Sequence, residues 1–200
     1  METRVDIREM QRADLPQVAE VLGRAYATNP FFLAVYRDKL MIARQLSIRF
    51  EAKFKYGPGE CFVSELDGQI VGGMRIIKSP DCKRMSLKAR LSILRVAGGL
   101  GPLMREMKII GVWKKHHPNQ PHWHLGAIGV TPEIQRKGIG SHLIKFYCDL
   151  IDRDGIEAYH ETDRPENVPF YERFGFKVAG EEIVIGVKSW YMLRPAKLDK

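Results

Sequence analysis

The sequence predicts a mixed α/β domain built on a central sheet. Three observations carry this. The runs "CFVSEL" and "QIVGGMRII" alternate on either side of Asp67-Gly68, a strong hairpin signal. The strand-like run "WHLGAIGV" passes through a seven-residue connector into a glycine-rich helix start, "GIGSHLI". Two further strand-like runs, "KVAGEEIV" and "VKSWYMLRP", close the chain. The order is β α α β β, basic helices, β α β α β β, a mixed α/β arrangement.

Each element has its own justification. "RVDIREM" alternates and reads as a strand. Asp14 can cap the next helix, Pro16 suits its first turn, and Val18, Val21, Leu22 and Ala25 take helical spacing. "TNPFF" reads as a break. "LAVYRDKLMIARQLSIRFEAKFKY" reads as one or two helices stopped at Gly57-Pro58-Gly59. Beyond the hairpin, Leu87, Leu91 and Leu94 follow helical spacing, "GGLGP" breaks it at Gly98 to Pro102, and Leu103, Met107 and Ile110 mark a second helix. "KKHHPNQPH" reads as a loop, Ser141 to Ile151 as a helix, "IEAYHET" as a strand and "NVPFYERF" as a short helix ended by Gly175. The 200 residues suit a single domain, 1–200, carrying a basic helical insert at about 83–115.

The net charge of +8 is concentrated in that insert. Lys83 to Lys115 holds nine Lys/Arg and one acid, Glu106; the remaining 32 − 9 = 23 basic and 24 − 1 = 23 acidic residues balance. Such a segment is a solvated helical face or a surface for anions, nucleic acid or lipid headgroups. No nucleic-acid motif is recognisable and aromatic residues are sparse between the cations, so no nucleic-acid partner is expected. No apolar run approaches the roughly 18 residues of a membrane span. The charged N-terminus lacks a secretory h-region, and Cys61, Cys82 and Cys148 are too few and too scattered for a disulfide framework. A cytoplasmic protein without membrane attachment is expected. Four histidines fall within "HHPNQPHWH", but no Cys lies near and His122 and His124 belong to a strand, so the segment reads as a polar loop and no metal is expected.

The glycine loop points to chemistry. Successive N–H groups at a helix start, freed from Cβ atoms and backed by the helix dipole, make a phosphate site. Gln135, Arg136 and Lys137 add donors and charge beside Gly138, Ile139, Gly140 and Ser141. The Walker A pattern is absent, and the dinucleotide fingerprint needs glycines directly after the strand and a third glycine, where position 143 is Leu.

What remains, Q-x-x-G-x-G between strand and helix, resembles motif A of the GCN5-related N-acetyltransferases (GNAT). Downstream, "ETDRPENVPFYERFGF" contains Asn167, Tyr171, Gly175 and Phe176 in a pattern that resembles motif B of the same superfamily. The likeness is tight over Trp123 to Phe176. The N-terminal half matches only in element order, and "PHWHLGAIGV", "YHETDRPENVPFYERFGF" and the basic insert are most similar to the small-molecule branch that includes puromycin N-acetyltransferase.

The resemblance implies a mostly antiparallel sheet, splayed between its fourth and fifth strands, with helices on both faces. Acetyl-CoA is the implied co-substrate. Its pantetheine arm would lie on the backbone of Ile128, Gly129 and Val130, its pyrophosphate on the amides from Arg136 to Ser141, and Asn167 would orient the arm or a water. Tyr171 becomes the candidate proton donor to the leaving thiolate, since a thiol of pKa about 8.5 leaves more readily when protonated. An amine of pKa about 10.4 must lose a proton before attack. His124, Glu161 or an ordered water is the candidate base, and alternation places His122, His124, Gly126 and Ile128 on one strand face. His122, Phe31 and Phe32 are candidate acceptor contacts, the last two as an apolar wall. The expected acceptor is a small-molecule amine, and a homodimer fits the family. A deep apolar acceptor pocket would favour this over a protein or peptide acceptor; a non-catalytic acetyl-CoA-binding or nucleic-acid-interacting protein is the remaining alternative.

Overall fold

The computed structural model describes residues 5–36, 42–81, 91 and 99–197. The helix expected around Leu87 and Leu94, and Cys82, lie outside the described residues. Seven strands form one sheet: β1 (Val5–Glu9), β2 (Glu60–Leu66), β3 (Gln69–Lys78), β4 (His122–Val130), β5 (Glu157–Thr162), β6 (Lys177–Val184) and β7 (Val187–Arg194). Six helices are described: α1 (Leu15–Ala25), α2 (Pro30–Tyr36), α3 (Ile42–Tyr56), α4 (Leu100–His116), α5 (Ile139–Asp154) and α6 (Asn167–Glu172).

The strand order is β1-β2-β3-β4-β5-β7-β6. All neighbours run antiparallel except β4 and β5. Those two pair in parallel only at His122–Glu157, Trp123–Ala158 and His124–Tyr159. Beyond His124 the strands part, while β3 stays paired to β4 as far as Val130. The sheet is therefore splayed where the resemblance implied, and backbone groups of β4 from Leu125 onward face a cleft.

Two apolar cores cover the two faces. On one, Leu143, Ile144, Tyr147 and Ile151 of α5 pack with Met74, Ile76, Trp123 and Leu125. On the other, Val18 and Leu22 of α1 and Leu46 and Phe50 of α3 pack with Val63 and Ala127. All three helices bury residues at spacings of three or four, as amphipathic helices do.

The register slips between Arg75 and Ile76, opposite Ala127 and Leu125, so Gly126 is an extra residue in β4. This bulge overturns the expected alternation. Trp123, Leu125, Ile128 and Val130 join the α5 core, whereas Ala127 joins the α1 core and Gly129 lies against Leu22 and Ala25. Ile128 thus leaves the face of His122 and His124, because one inserted residue reverses the side-chain phase.

Two other expectations change. "NPFF" opens α2 rather than breaking the chain: the Asn29 side-chain oxygen accepts from Phe32 N, and Pro30 occupies the first turn where its missing N–H is harmless. "GGLGP" likewise ends in a helix start, with α4 beginning at Leu100 after Gly99.

Candidate functional site

The glycine loop lies at the N-terminus of α5. Gly138 caps α5 at φ 88°, a left-handed conformation that glycine adopts without strain. The first helical N–H to find an acceptor is that of His142, which donates to Gly138 O at 3.1 Å, so the amides of Ile139, Gly140 and Ser141 have no acceptor within the helix. A Cβ on Gly140 would meet only Phe170 Cζ, at 3.9 Å, and one on Gly138 would meet nothing within 4 Å. Arg136 and Lys137 are exposed beside this open cradle. The donor set fits a pyrophosphate. Gln135 plays another part: its Nε2 donates to Val130 O at 2.9 Å, which ties the loop to the end of β4.

In the cleft, Ile128 N donates to the hydroxyl of Tyr26 at 3.2 Å. Tyr26 lies just past α1, in a stretch whose sequence carries no motif. Its ring contacts Phe32 at 5.8 Å and Phe50 at 5.0 Å between centroids. Asn167 opens α6 and donates from Nδ2 to Thr162 Oγ1 at 3.1 Å. Four residues on, Tyr171 is buried, its ring 3.9 Å from that of His160 and 5.9 Å from that of Phe176. Burial pushes the Tyr171 phenol far above its usual range, and the charges of Tyr26 and Asp163 act in the same direction.

His124 and Glu161 come together at the point where β4 and β5 part. His124 Nε2 lies 2.9 Å from Glu161 Oε2, with the two side chains 13% and 5% exposed. Burial lowers the His124 pKa, and the Glu161 charge offsets part of that. Burial also opposes ionisation of Glu161, but His124 and His117 overcome it and hold the carboxyl well below its ordinary range. A carboxylate only accepts, so His124 Nε2 must donate, and a neutral ring then carries its lone pair on Nδ1. That Nδ1 is buried and has no hydrogen-bond partner among the described residues.

His117, which the sequence places only among the histidines of a polar loop, completes the group. Its Nε2 is 3.4 Å from Glu161 Oε1, an electrostatic contact rather than an aligned hydrogen bond. Its Nδ1 is 3.3 Å from His122 Nε2, and His122 Nδ1 is 2.9 Å from Gln120 O, so His122 donates to that carbonyl and accepts from His117. His117, His124 and Glu161 bring ligand-type atoms within 4.8 Å of one another, and the shortest of these contacts, 2.9 Å from His124 Nε2 to Glu161 Oε2, has the length of an imidazole–carboxylate hydrogen bond. His117 is placed by α4: the preceding His116 stacks on Tyr191 at 3.7 Å and contacts Glu182 at 2.8 Å.

The two phenylalanines diverge. Phe31 is buried, its N–H donating to Asp163 Oδ2 at 2.9 Å and its ring 5.4 Å from Trp113. Phe32 lines a cavity of about 60 Å³ with Leu46, Arg49, Phe50 and Lys53. Asn29 Nδ2 also donates to Asp163, at 2.7 Å, so α2 is tied to the end of β5 beside Glu161. His122 is fully buried and faces His117.

His160, beneath Tyr171, makes a testable contribution to stability. Both ring nitrogens lack a hydrogen-bond partner among the described residues, and burial takes its pKa down to about 3. An unfolded histidine titrates near 6.5, so the unfolded chain binds the extra proton as pH falls, and stability declines between about pH 6.5 and pH 3. From these two values the loss at pH 5 is about 2 kcal/mol. His160→Phe is expected to remove it, read as a smaller change in urea midpoint between pH 7.5 and pH 5.

The comparisons agree with the fold. The sequence profile of the acetyltransferase (GNAT) family matches residues 24–176. Among curated proteins, mycothiol acetyltransferase of Brachybacterium faecium is 26% identical over 87 residues, which cover 40% of this chain and 26% of that protein. An uncharacterized N-acetyltransferase of Schizosaccharomyces pombe is 37% identical over 54 residues, covering 27% of this chain and 22% of that protein. The chain thus spans about a quarter of the length of these curated relatives. Among solved structures, a protein of Corynebacterium glutamicum described as histone acetyltransferase HPA2 and related acetyltransferase superposes with TM-score 0.74 at 21% identity, covering 98% of each chain. Polyamine N-acetyltransferase of Drosophila melanogaster gives TM-score 0.66 at 12% identity, covering 96% of this chain and 100% of that one. A GNAT-family acetyltransferase of Brucella melitensis in complex with acetyl-CoA gives 0.54 at 17% identity, covering 100% and 92%. The match of the family profile to well over half the chain, on a splayed sheet with a glycine-capped α5, means that the chain belongs to the acetyltransferase (GNAT) family.

Proposed function

We propose that the protein moves acetyl from acetyl-CoA to the amine of a small molecule by direct attack, with His124 as base and Tyr171 as acid. The observation that carries this is the His124–Glu161 pair at the point where β4 and β5 part, with the buried Nδ1 of His124 left without a hydrogen-bond partner among the described residues. Acetyl-CoA supplies the activated acetyl group and a thiol leaving group. The α5 amides and the β4 backbone hold it.

His124 Nδ1 takes a proton from the amine as the N–C bond forms, and Glu161 stabilises the imidazolium and fixes its orientation. The phenol of Tyr171 stays protonated at working pH because burial raises its pKa. It gives its proton to the sulfur as the C–S bond breaks; proton exchange with solvent then returns a proton to Tyr171 and takes one from His124. The likeness to the branch that includes puromycin N-acetyltransferase supports a small acceptor. So does the cavity beside Phe32, and so does the activity of the Drosophila melanogaster relative, described as forming N-acetylagmatine.

Thermal unfolding with acetyl-CoA tests the co-substrate site. At a hundredfold excess over Kd the folded state gains about 2.7 kcal/mol. Gly140→Asp should fold, because the new side chain has room and an acidic group suits a helix start. It should nevertheless lose the acetyl-CoA shift, since it places a negative charge on the phosphate cradle. Retention of the shift in Gly140→Asp would overturn the placement. Thiol release with an amine panel then tests transfer itself.

A further inference from the structure

The walls of the cavity beside the site are apolar and cationic, with no carboxylate among them: Phe32, Leu46 and Phe50 alternate with Arg49 and Lys53. Lys53 Nζ donates to Gly126 O at 3.2 Å and forms no ion pair among the described residues. Its surroundings disfavour a charge: burial, then Arg75 and Arg49, bring its pKa down to about 8. Arg49 pairs with Glu106 through Nη2, yet its Nη1 is buried with no hydrogen-bond partner among the described residues. The nearby acids are engaged elsewhere. Glu106 accepts from Tyr36 and Arg49, and Glu161 is held by His124 and His117.

A cationic donor with open capacity in an apolar pocket calls for an anion. Lys53 also lies close enough to His124 for its charge to act on that ring, so a group bound at Lys53 is near the proposed base. We infer that the acceptor is an amine bearing a carboxylate and an apolar or aromatic side chain, an amino acid or close analogue, with the carboxylate on Lys53 and Arg49. This rests on the acetyl-transfer reading above. A polyamine would bring a second cation to a pocket that already holds two, at a cost in affinity.

Matched acceptors test this with wild-type protein: phenylalanine, phenylalaninamide and phenethylamine, leucine and isoamylamine, 4-aminobutyrate and putrescine. The expected result is a kcat/KM at least about tenfold higher for the acid of a set than for its partners. The amide carries a less basic amine than the acid, so an advantage of acid over amide does not arise from amine basicity. Lys53→Met should bring acid and amide to similar values while the acetyl-CoA melting shift persists. Amines without a carboxylate, or putrescine, performing as well as the acids would overturn the inference and leave the transferase reading standing. Should no amine release thiol, the transfer reading fails by itself and binding decides the pocket. Calorimetry with 3-phenylpropionate and 3-phenylpropylamine then supports the carboxylate site if the acid binds more tightly and Lys53→Met abolishes the difference. Equal or reversed affinities sink it.

Discussion

His124→Ala is expected to lower kcat by about a hundredfold to ten-thousandfold, the range supplied by a positioned acid or base. The acetyl-CoA melting shift should be unchanged, because the phosphate cradle on α5 belongs to another element. The pH profile gives the finer test. The imidazole must be neutral to accept a proton, and burial holds its pKa below the ordinary 6.5. Activity should therefore persist as pH falls past 6.5 and drop only through the lowered pKa. Glu161→Gln removes the charge that offsets the burial effect, so the acid limb should move to still lower pH while kcat falls. An acid limb that stays in place in Glu161→Gln would show that the carboxylate does not act through His124.

Tyr171→Phe is expected to cost about a hundredfold or more in kcat, at the lower end of acid–base effects. The loss should be similar across pH 6 to 9, because burial keeps the phenol protonated throughout. The substituted ring keeps its contacts with His160 and Phe176, so stability should change by less than about 1 kcal/mol. Single-turnover thiol release separates this from a slow product step. A kcat within threefold of wild type would remove Tyr171 from the chemistry.

The parts of the proposed site that are legible in the sequence are those whose chemistry is local. A phosphate cradle needs bare backbone at the first turn of one helix, so Gly138 and Gly140 announce it within three residues. Asn167 and Tyr171 sit one helical turn apart and are visible for the same reason. Features set by distant contacts were not legible. His117 reaches Glu161 because α4 docks on β6 through His116, and no periodicity encodes that docking. Asn29 reads as a loop residue until Asp163, far along the chain, is seen to hold it. His124 and Glu161 each stood out as a possible base. Their pairing depends on how far β4 and β5 run together, which ends at His124. The Gly126 bulge then turned Ile128 to the other face, which strict alternation cannot foresee.

The Tyr26 hydrogen bond has a thermodynamic consequence. Its hydroxyl occupies the Ile128 amide, one of the backbone groups on which a strand-like pantetheine arm would lie, and its ring rests on Phe32 and Phe50 of the neighbouring cavity. If acetyl-CoA and the acceptor bind as proposed above, an arm that takes that amide frees the phenol and changes the wall against which the acceptor packs. The two substrates are then linked through one side chain. Whatever factor acetyl-CoA applies to acceptor affinity, the acceptor must return to acetyl-CoA, and a Tyr26→Phe protein would have that factor moved toward one.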